Sequence, residues 1–279
     1  MKKDRNEEIK AITEKLEHGI QDMFVSGKFE EYLRAMAKFH RYSVNNCFLI
    51  AMQCPEASLV AGYKTWQKEF GRQVKKGEKA IRILAPVTRK VKRLVKNEVT
   101  GEEEEREVSF MTYRVVPVFD ISQTEGPDVP SIATKLMGDA DADLIERVVA
   151  ASPVPVRFEH VPGEANGYYH HDGYIVVDDA LSPMQALKTL VHEVAHATIH
   201  CKGGEEEEAN RGTKEVQAES IAYTVCSYLG IDTSDYSFGY VAGWSSGREL
   251  KELKASLEVI RQTAGALIDS INAPVPAVA

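Results

Sequence analysis

Residues 184–200 read MQALKTLVHEVAHATIH. Leu187, Leu190, Val191 and Val194 recur at helical steps, so the run predicts an amphipathic helix from Met184 to His200. Inside it, His192-Glu193-Val194-Ala195-His196 has the form H-E-x-x-H. Four residues turn a helix by about 400°, which brings both imidazoles to one face. Neutral imidazole nitrogen is a preferred zinc ligand, and a catalytic zinc takes three protein ligands and keeps a position for water. Glu193 is offset from both histidines and can reach that water. The metal lowers the water's pKa toward about 7, and Glu193 acts as general base, relaying the proton to a leaving amine. The chemistry expected is zinc-dependent hydrolysis of a protein or peptide.

A third ligand must come from outside this helix. A metzincin would continue with a histidine where Lys202 stands, so that class is excluded. The next predicted helix, Thr213 to Leu229, carries Glu215-Val216-Gln217-Ala218-Glu219. Glu215, Ala218, Glu219 and Ala222 share one face, and the small alanines allow close approach to the histidine helix. Glu215 is assigned as third ligand and Glu219 as the acceptor that orients a histidine from behind. The reverse assignment, with Glu219 on the metal, stays open. So does the plainer reading, in which these acids lie on a solvated face.

His200 lies on the same helical face as His196. A fourth protein ligand would close the site to water, so a capping or substrate-facing role is expected for it. His170 and His171 are expected as exposed strand or turn residues of a hairpin rather than as ligands, and a strand there could pair with an extended peptide. Tyr240 is a candidate oxyanion donor, although it and Trp244 also have core spacing.

The chain has 279 residues, 43% hydrophobic and 27% charged, with a net charge of −8. These are values of an ordinary folded protein, and the length suggests two domains of roughly 150 residues or less. The average charge disguises a division. Residues 1–135 carry a net +4 and residues 136–279 a net −12. Four scattered cysteines (Cys47, Cys54, Cys201, Cys226) match no disulfide or zinc-ribbon spacing, which suits a reducing cytoplasm. No signal peptide or membrane-spanning run is expected.

Helices are predicted at Glu7–Phe24, Glu30–Phe39 and Asn45–Gln53, the last stopped by Pro55. Strands are predicted at Ala80–Val87 and Val108–Phe119, flanking an exposed hairpin whose tip holds Glu102 to Glu105. Residues 126–142, rich in Gly and Pro, read as a linker between domains at 1–125 and 143–279. Beyond it come a helix at Asp143–Ala151, a strand at Pro155–His160, two short strands about His171-Asp172-Gly173, and a last helix at Arg248–Ile271. The fold class expected is α+β.

Between Lys64 and Lys96 the net charge is +10, with Tyr63, Trp66 and Phe70 interleaved and Tyr42 and Phe48 upstream. Cations beside aromatic faces are the ingredients of a single-strand-binding surface. Trp66 and Phe70, four apart, equally suit the core face of a short helix.

Three runs, Tyr42-Ser43-Val44-Asn45-Asn46-Cys47-Phe48-Leu49-Ile50, Gly62-Tyr63-Lys64-Thr65-Trp66 and Gly71-Arg72-Gln73-Val74-Lys75-Lys76-Gly77-Glu78-Lys79, resemble the N-terminal domain of ArdC-type antirestriction proteins. Val118-Phe119-Asp120-Ile121 with Gln123-Thr124 is similar to its end. His192-Glu193-x-x-His196 with Glu215-x-x-Ala218-Glu219 resembles the ImmA/IrrE zinc peptidases. The resemblance implies an N-terminal α+β domain that binds single-stranded DNA and a C-terminal zincin-like (gluzincin) metallopeptidase domain. It also implies residence on plasmids or conjugative elements and protection of incoming DNA from restriction. The candidates for DNA contact are Tyr42, Asn46, Lys64, Trp66, Arg72, Lys75, Lys76, Lys79 and Arg82. The alternative function is a non-enzymatic protein that coats single strands, its zinc site structural or idle.

Overall fold

The structure, a computed structural model, describes residues 2–96, 103–129 and 141–273. Most of the expected linker (130–140) and the loop at 97–102, with Glu102, lie outside the described residues. Three helices open the chain: α1 (Lys2–Val25), α2 (Phe29–Lys38) and α3 (Val44–Gln53). Leu16, Ile20, Met23 and Phe24 of α1 face Leu33 and Met36 of α2 and Phe48 and Ile50 of α3 in one apolar core. α1 passes α3 so closely that a Cβ on Gly19 would lie 2.6 Å from the Phe48 ring. Ser43 caps α3, its side chain accepting from the Asn46 amide.

After β1 (Val60–Ala61), α4 (Tyr63–Lys68) and β2 (Gln73–Val74), the chain forms the hairpin of β3 (Ile81–Lys96) and β4 (Glu103–Asp120). The ladder runs unbroken from Ile81 opposite Val118 to Lys96 opposite Glu103. The two expected strands are thus the base of one long ribbon. Its base is buried through Ile81, Ile83 and Val118, while Phe110, Met111 and Tyr113 farther out are exposed. β1 pairs with the end of β4, and β5 (Thr124–Glu125) pairs with β2. Asp120 ties these pieces together, accepting from the backbone amides of Ser58, Leu59 and Ser122.

The C-terminal half begins with α5 (Asp141–Ala151). A three-stranded sheet follows, made of β6 (Val156–Phe158), β7 (Gly167–His170) and β8 (Tyr174–Val177). β8 is central, parallel to β6 and antiparallel to β7. Gly173, at φ +85°, closes the turn between β7 and β8. Helix α6 (Pro183–Ile199) packs on this sheet and α7 (Arg211–Tyr228) packs on α6. Ala218 and Ala222 are fully buried at that contact. The short α8 (Val241–Ser245) and the long α9 (Leu250–Asn272) complete a fold of mixed helices and strands in a two-domain arrangement.

The halves also meet. Tyr223 of α7 donates to Glu30 of α2 at 3.0 Å, and Arg261 of α9 donates to the His40 carbonyl at 3.1 Å. Phe24 and Phe29 contact the rings of Trp244 and Phe238. Among the described residues, no helix is long and apolar enough to cross a membrane.

Candidate metal centre and nucleic-acid face

Helix α6 starts cleanly: Ser182 accepts from the Gln185 amide, and Pro183 occupies the first turn, where no amide proton is needed. One turn apart, His192 and His196 bring their Nε2 atoms to 3.0 Å. Asn210 caps α7 by accepting from Thr213, which sets the rotation that points Glu215 across. Glu215 Oε2 lies 3.7 Å from His192 Nε2 and 3.8 Å from His196 Nε2. Donors each about 2.1 Å from one tetrahedral ion would stand roughly 3.4 Å apart, so this triangle is of metal-binding size.

Glu219, one turn farther along α7, does not join the triangle; it accepts a short hydrogen bond from the Tyr240 hydroxyl. Tyr240, expected as an oxyanion donor, therefore has its proton engaged, and burial and the Glu219 carboxylate push its pKa upward. Among the described residues Glu219 makes no hydrogen bond to either imidazole. His196 Nδ1 lies 2.8 Å from His200 Nδ1. His200, expected to cap the helix or face substrate, ends α6 with its ring turned inward and buried. His170 ends β7 beside the turn, its Nδ1 accepting from the Asp172 amide.

Electrostatics follow the geometry. Burial opposes charge on His192, but the Glu215 hydrogen bond and the neighbouring carboxylates outweigh it and raise its pKa. Hydrogen bonds from both imidazoles hold Glu215 well below the usual carboxylate range. Burial raises Glu193, against the pull of the two imidazoles. Burial also lowers His200, to about 4. Beside the triangle opens a cleft of about 320 Å³, with Asn166, Gly167, Thr189, Glu193 and Glu219 among its walls. Its rim is crossed by the Lys188–Asp235 ion pair at 2.7 Å.

The expected DNA contacts divide sharply. Trp66 is fully buried and donates from its indole to the Phe119 carbonyl at 2.9 Å, so no base can stack on it. Arg72 is buried in a clasp on Thr124 and the carbonyls of Gly126 and Pro127. Asn46 spans the Leu84 backbone with two 2.9 Å bonds, and Tyr42 donates to the Val60 carbonyl. These four side chains serve the fold. Long-range contacts consume them, which local spacing does not reveal. Arg82 is exposed but ion-paired with Glu8.

Lys64, Lys75, Lys76 and Lys79 are exposed. Near them stands Tyr63, 43% exposed, its hydroxyl held by Gln73 and its ring against the edge of Phe119. Tyr63 was the interleaved aromatic that spacing alone did not separate from Trp66. Farther along the hairpin Lys90 lies 3.4 Å from Glu107.

Residues 2–119 match the N-terminal domain of anti-restriction factor ArdC, and residues 150–265 match the IrrE N-terminal-like domain of the M78 peptidases. The chain joins an ArdC-type N-terminal domain to an IrrE-like domain. A Bacillus anthracis protein, uncharacterized protein pXO2-81, is 28% identical over 305 residues. That alignment takes in 95% of this chain and 51% of the relative, so the chain spans about half the relative's length. Two crystal structures of the antirestriction ArdC protein from plasmid R388 are also similar. The metal-free one is 25% identical with a TM-score of 0.46, over 82% of each chain. The Mn(II)-bound one is 22% identical with a TM-score of 0.49, over 82% of this chain and 83% of that one.

Proposed function

We propose that this ArdC-type protein binds single-stranded DNA through its N-terminal half and carries a zinc-dependent peptidase centre in its C-terminal half. The observation that carries the reading is Glu193 buried beside the His192, His196 and Glu215 triangle at the wall of an open cleft. Two imidazole nitrogens and one carboxylate oxygen are a donor set that suits zinc and leaves one position vacant. When bound, the ion would polarise a scissile carbonyl and acidify a water molecule.

The chain's own residues do the rest. Glu193, its pKa raised by burial, takes the proton of the attacking water and hands it to the leaving amine. The backbone amide of Tyr169 on β7 faces the Glu193 carboxylate and favours its charged form. β7 is an edge strand, so an extended peptide can pair along it and cross the cleft. Gly167 suits that edge, because a Cβ there would lie 2.6 Å from the Val176 carbonyl.

On the other half, the exposed lysines around Tyr63 offer phosphate neutralisation beside a ring for stacking. A cytoplasmic role in protecting transferred DNA from restriction accords with both halves. Glu193→Gln tests the enzyme: zinc and DNA binding should persist while peptide cleavage and protection in cells are lost. Full protection by the variant would favour the strand-coating alternative.

A further inference from the structure

We infer that His200 and Gln217 form a proton-ordering relay that fixes His196 as an Nε2 metal donor, with His200 the positioning residue. This rests on the metal reading of the His192, His196 and Glu215 triangle.

The order of protons follows from the hydrogen bonds. Gln217 of α7 is buried, and its Nε2 donates to Ser256 Oγ of α9 at 3.3 Å. Its Oε1 therefore faces His200 Nε2, at 3.0 Å. An amide oxygen only accepts, so His200 carries its proton on Nε2. A neutral imidazole has one N–H, which leaves His200 Nδ1 bare. Among the described residues no carboxylate lies within hydrogen-bonding distance of His200 to favour a second proton, and its ring is buried. The 2.8 Å contact to His196 Nδ1 then requires the proton to sit on His196. With Nδ1 protonated, His196 presents a bare Nε2 toward His192 and Glu215.

The arrangement departs from the usual support of a metal-binding histidine, in which a carboxylate, carbonyl or water accepts the other ring proton. Here a second histidine accepts, and a glutamine makes it an acceptor. Helix α7 thereby supplies both a ligand, Glu215, and, two residues on, the group that sets a second ligand's tautomer. A buried histidine and glutamine that merely satisfied one another would need no particular direction; these three bonds run in a single direction.

The test uses the full chain, metal-free, with zinc as the probe. Competition against a chelator gives affinity, thermal unfolding gives stability, and histidine ¹⁵N spectra report the tautomer of His196. His200→Phe keeps the ring volume and removes the acceptor. It should weaken zinc binding by about 10- to 100-fold, the usual cost of losing such a partner. Gln217→Leu should act in the same direction, and so should Gln217→Glu, because a carboxylate at that place favours a second proton on His200 and turns its Nδ1 into a donor. In the parent, His196 should be protonated at Nδ1. If His200→Phe and Gln217→Leu, both folded, bind zinc like the parent, or if the spectra place the His196 proton on Nε2, the relay is overturned. A parent that binds no zinc defeats the metal reading instead, and the tautomer in the nitrogen spectra still decides the relay.

Discussion

Glu215 holds a carboxylate oxygen 3.7 Å from His192 Nε2, an ion pair whenever that imidazole is protonated. A metal ion must displace the proton that this pair stabilises, since an imidazole ligates through a bare nitrogen. His192 is raised above its ordinary value of 6.5 and Glu215 lowered from 4.5. The sign is definite. Affinity for zinc should fall as pH drops through the raised His192 pKa, while Glu215 stays ionised across that range. Chelator competition at pH 6 and pH 8 should show tighter binding at pH 8, and titrations in buffers of different ionisation enthalpy should show a proton released near pH 6.5.

The same pair affects the metal-free fold. The raised His192 contributes stability that is fully present below pH 6.5 and is lost as pH rises through its folded pKa. The lowered Glu215 contributes stability above pH 4.5 that is lost as acid approaches its folded pKa. Both contributions coincide between pH 4.5 and 6.5. Glu215→Gln should therefore cost most stability in that window, read as a drop in melting temperature that narrows toward pH 8.

The two acids of α7 separate by what each touches. Glu215 faces both imidazoles, whereas Glu219 receives the Tyr240 hydroxyl. Glu215→Gln should abolish tight zinc binding, because it removes a ligand. Glu219→Gln and Tyr240→Phe should each leave affinity near the parent value. Loss of zinc binding in Glu219→Gln with affinity kept in Glu215→Gln would instead make Glu219 the ligand.

How far the sequence disclosed these relations depends on their range. Leu187, Leu190, Val191 and Val194 mark α6 locally, and the i,i+4 histidines inherit its geometry. Glu215 was reachable by a face argument across two helices. The His200–Gln217 contact was not, because it depends on how α6 and α7 are rotated in three dimensions, and buried Gln217 breaks no periodicity. The strands β3 and β4 ran longer than expected for a related reason. The alternating charged and aliphatic residues from Lys90 to Val99 read as part of an exposed hairpin with a solvated tip, yet the register carries the ladder on to Lys96 opposite Glu103. Arg72 and Trp66 looked like nucleic-acid contacts because their partners, Thr124 and Phe119, lie some fifty residues away.

That last distinction is measurable. Trp66→Ala removes a fully buried ring and should destabilise the fold by about 3–5 kcal/mol. Trp66→Phe should instead leave the Phe119 carbonyl without its indole partner, costing about 1–3 kcal/mol. Thermal unfolding of both variants checks the ranking, which a surface tryptophan would not produce.

Tyr63 is the converse case. Its ring is partly open to solvent and neighbours exposed Lys64, so its loss should spare stability and weaken single-strand binding. Tyr63→Ala should cost roughly 1–3 kcal/mol of oligonucleotide affinity, the value of one stacked base. Replacing Lys75 and Lys76 with alanine should act differently. Each phosphate contact removed should flatten the dependence of log affinity on log salt by about 0.7 for a single strand. Tyr63→Ala should leave that slope unchanged, because stacking releases no counterions. The pair of slopes, measured by fluorescence anisotropy from low to moderate salt, separates stacking from charge on this face. If both variants bind like the parent at every salt concentration, the surface around Tyr63 is not where DNA sits, and the exposed outer ribbon of Phe110 and Tyr113 becomes the face to vary.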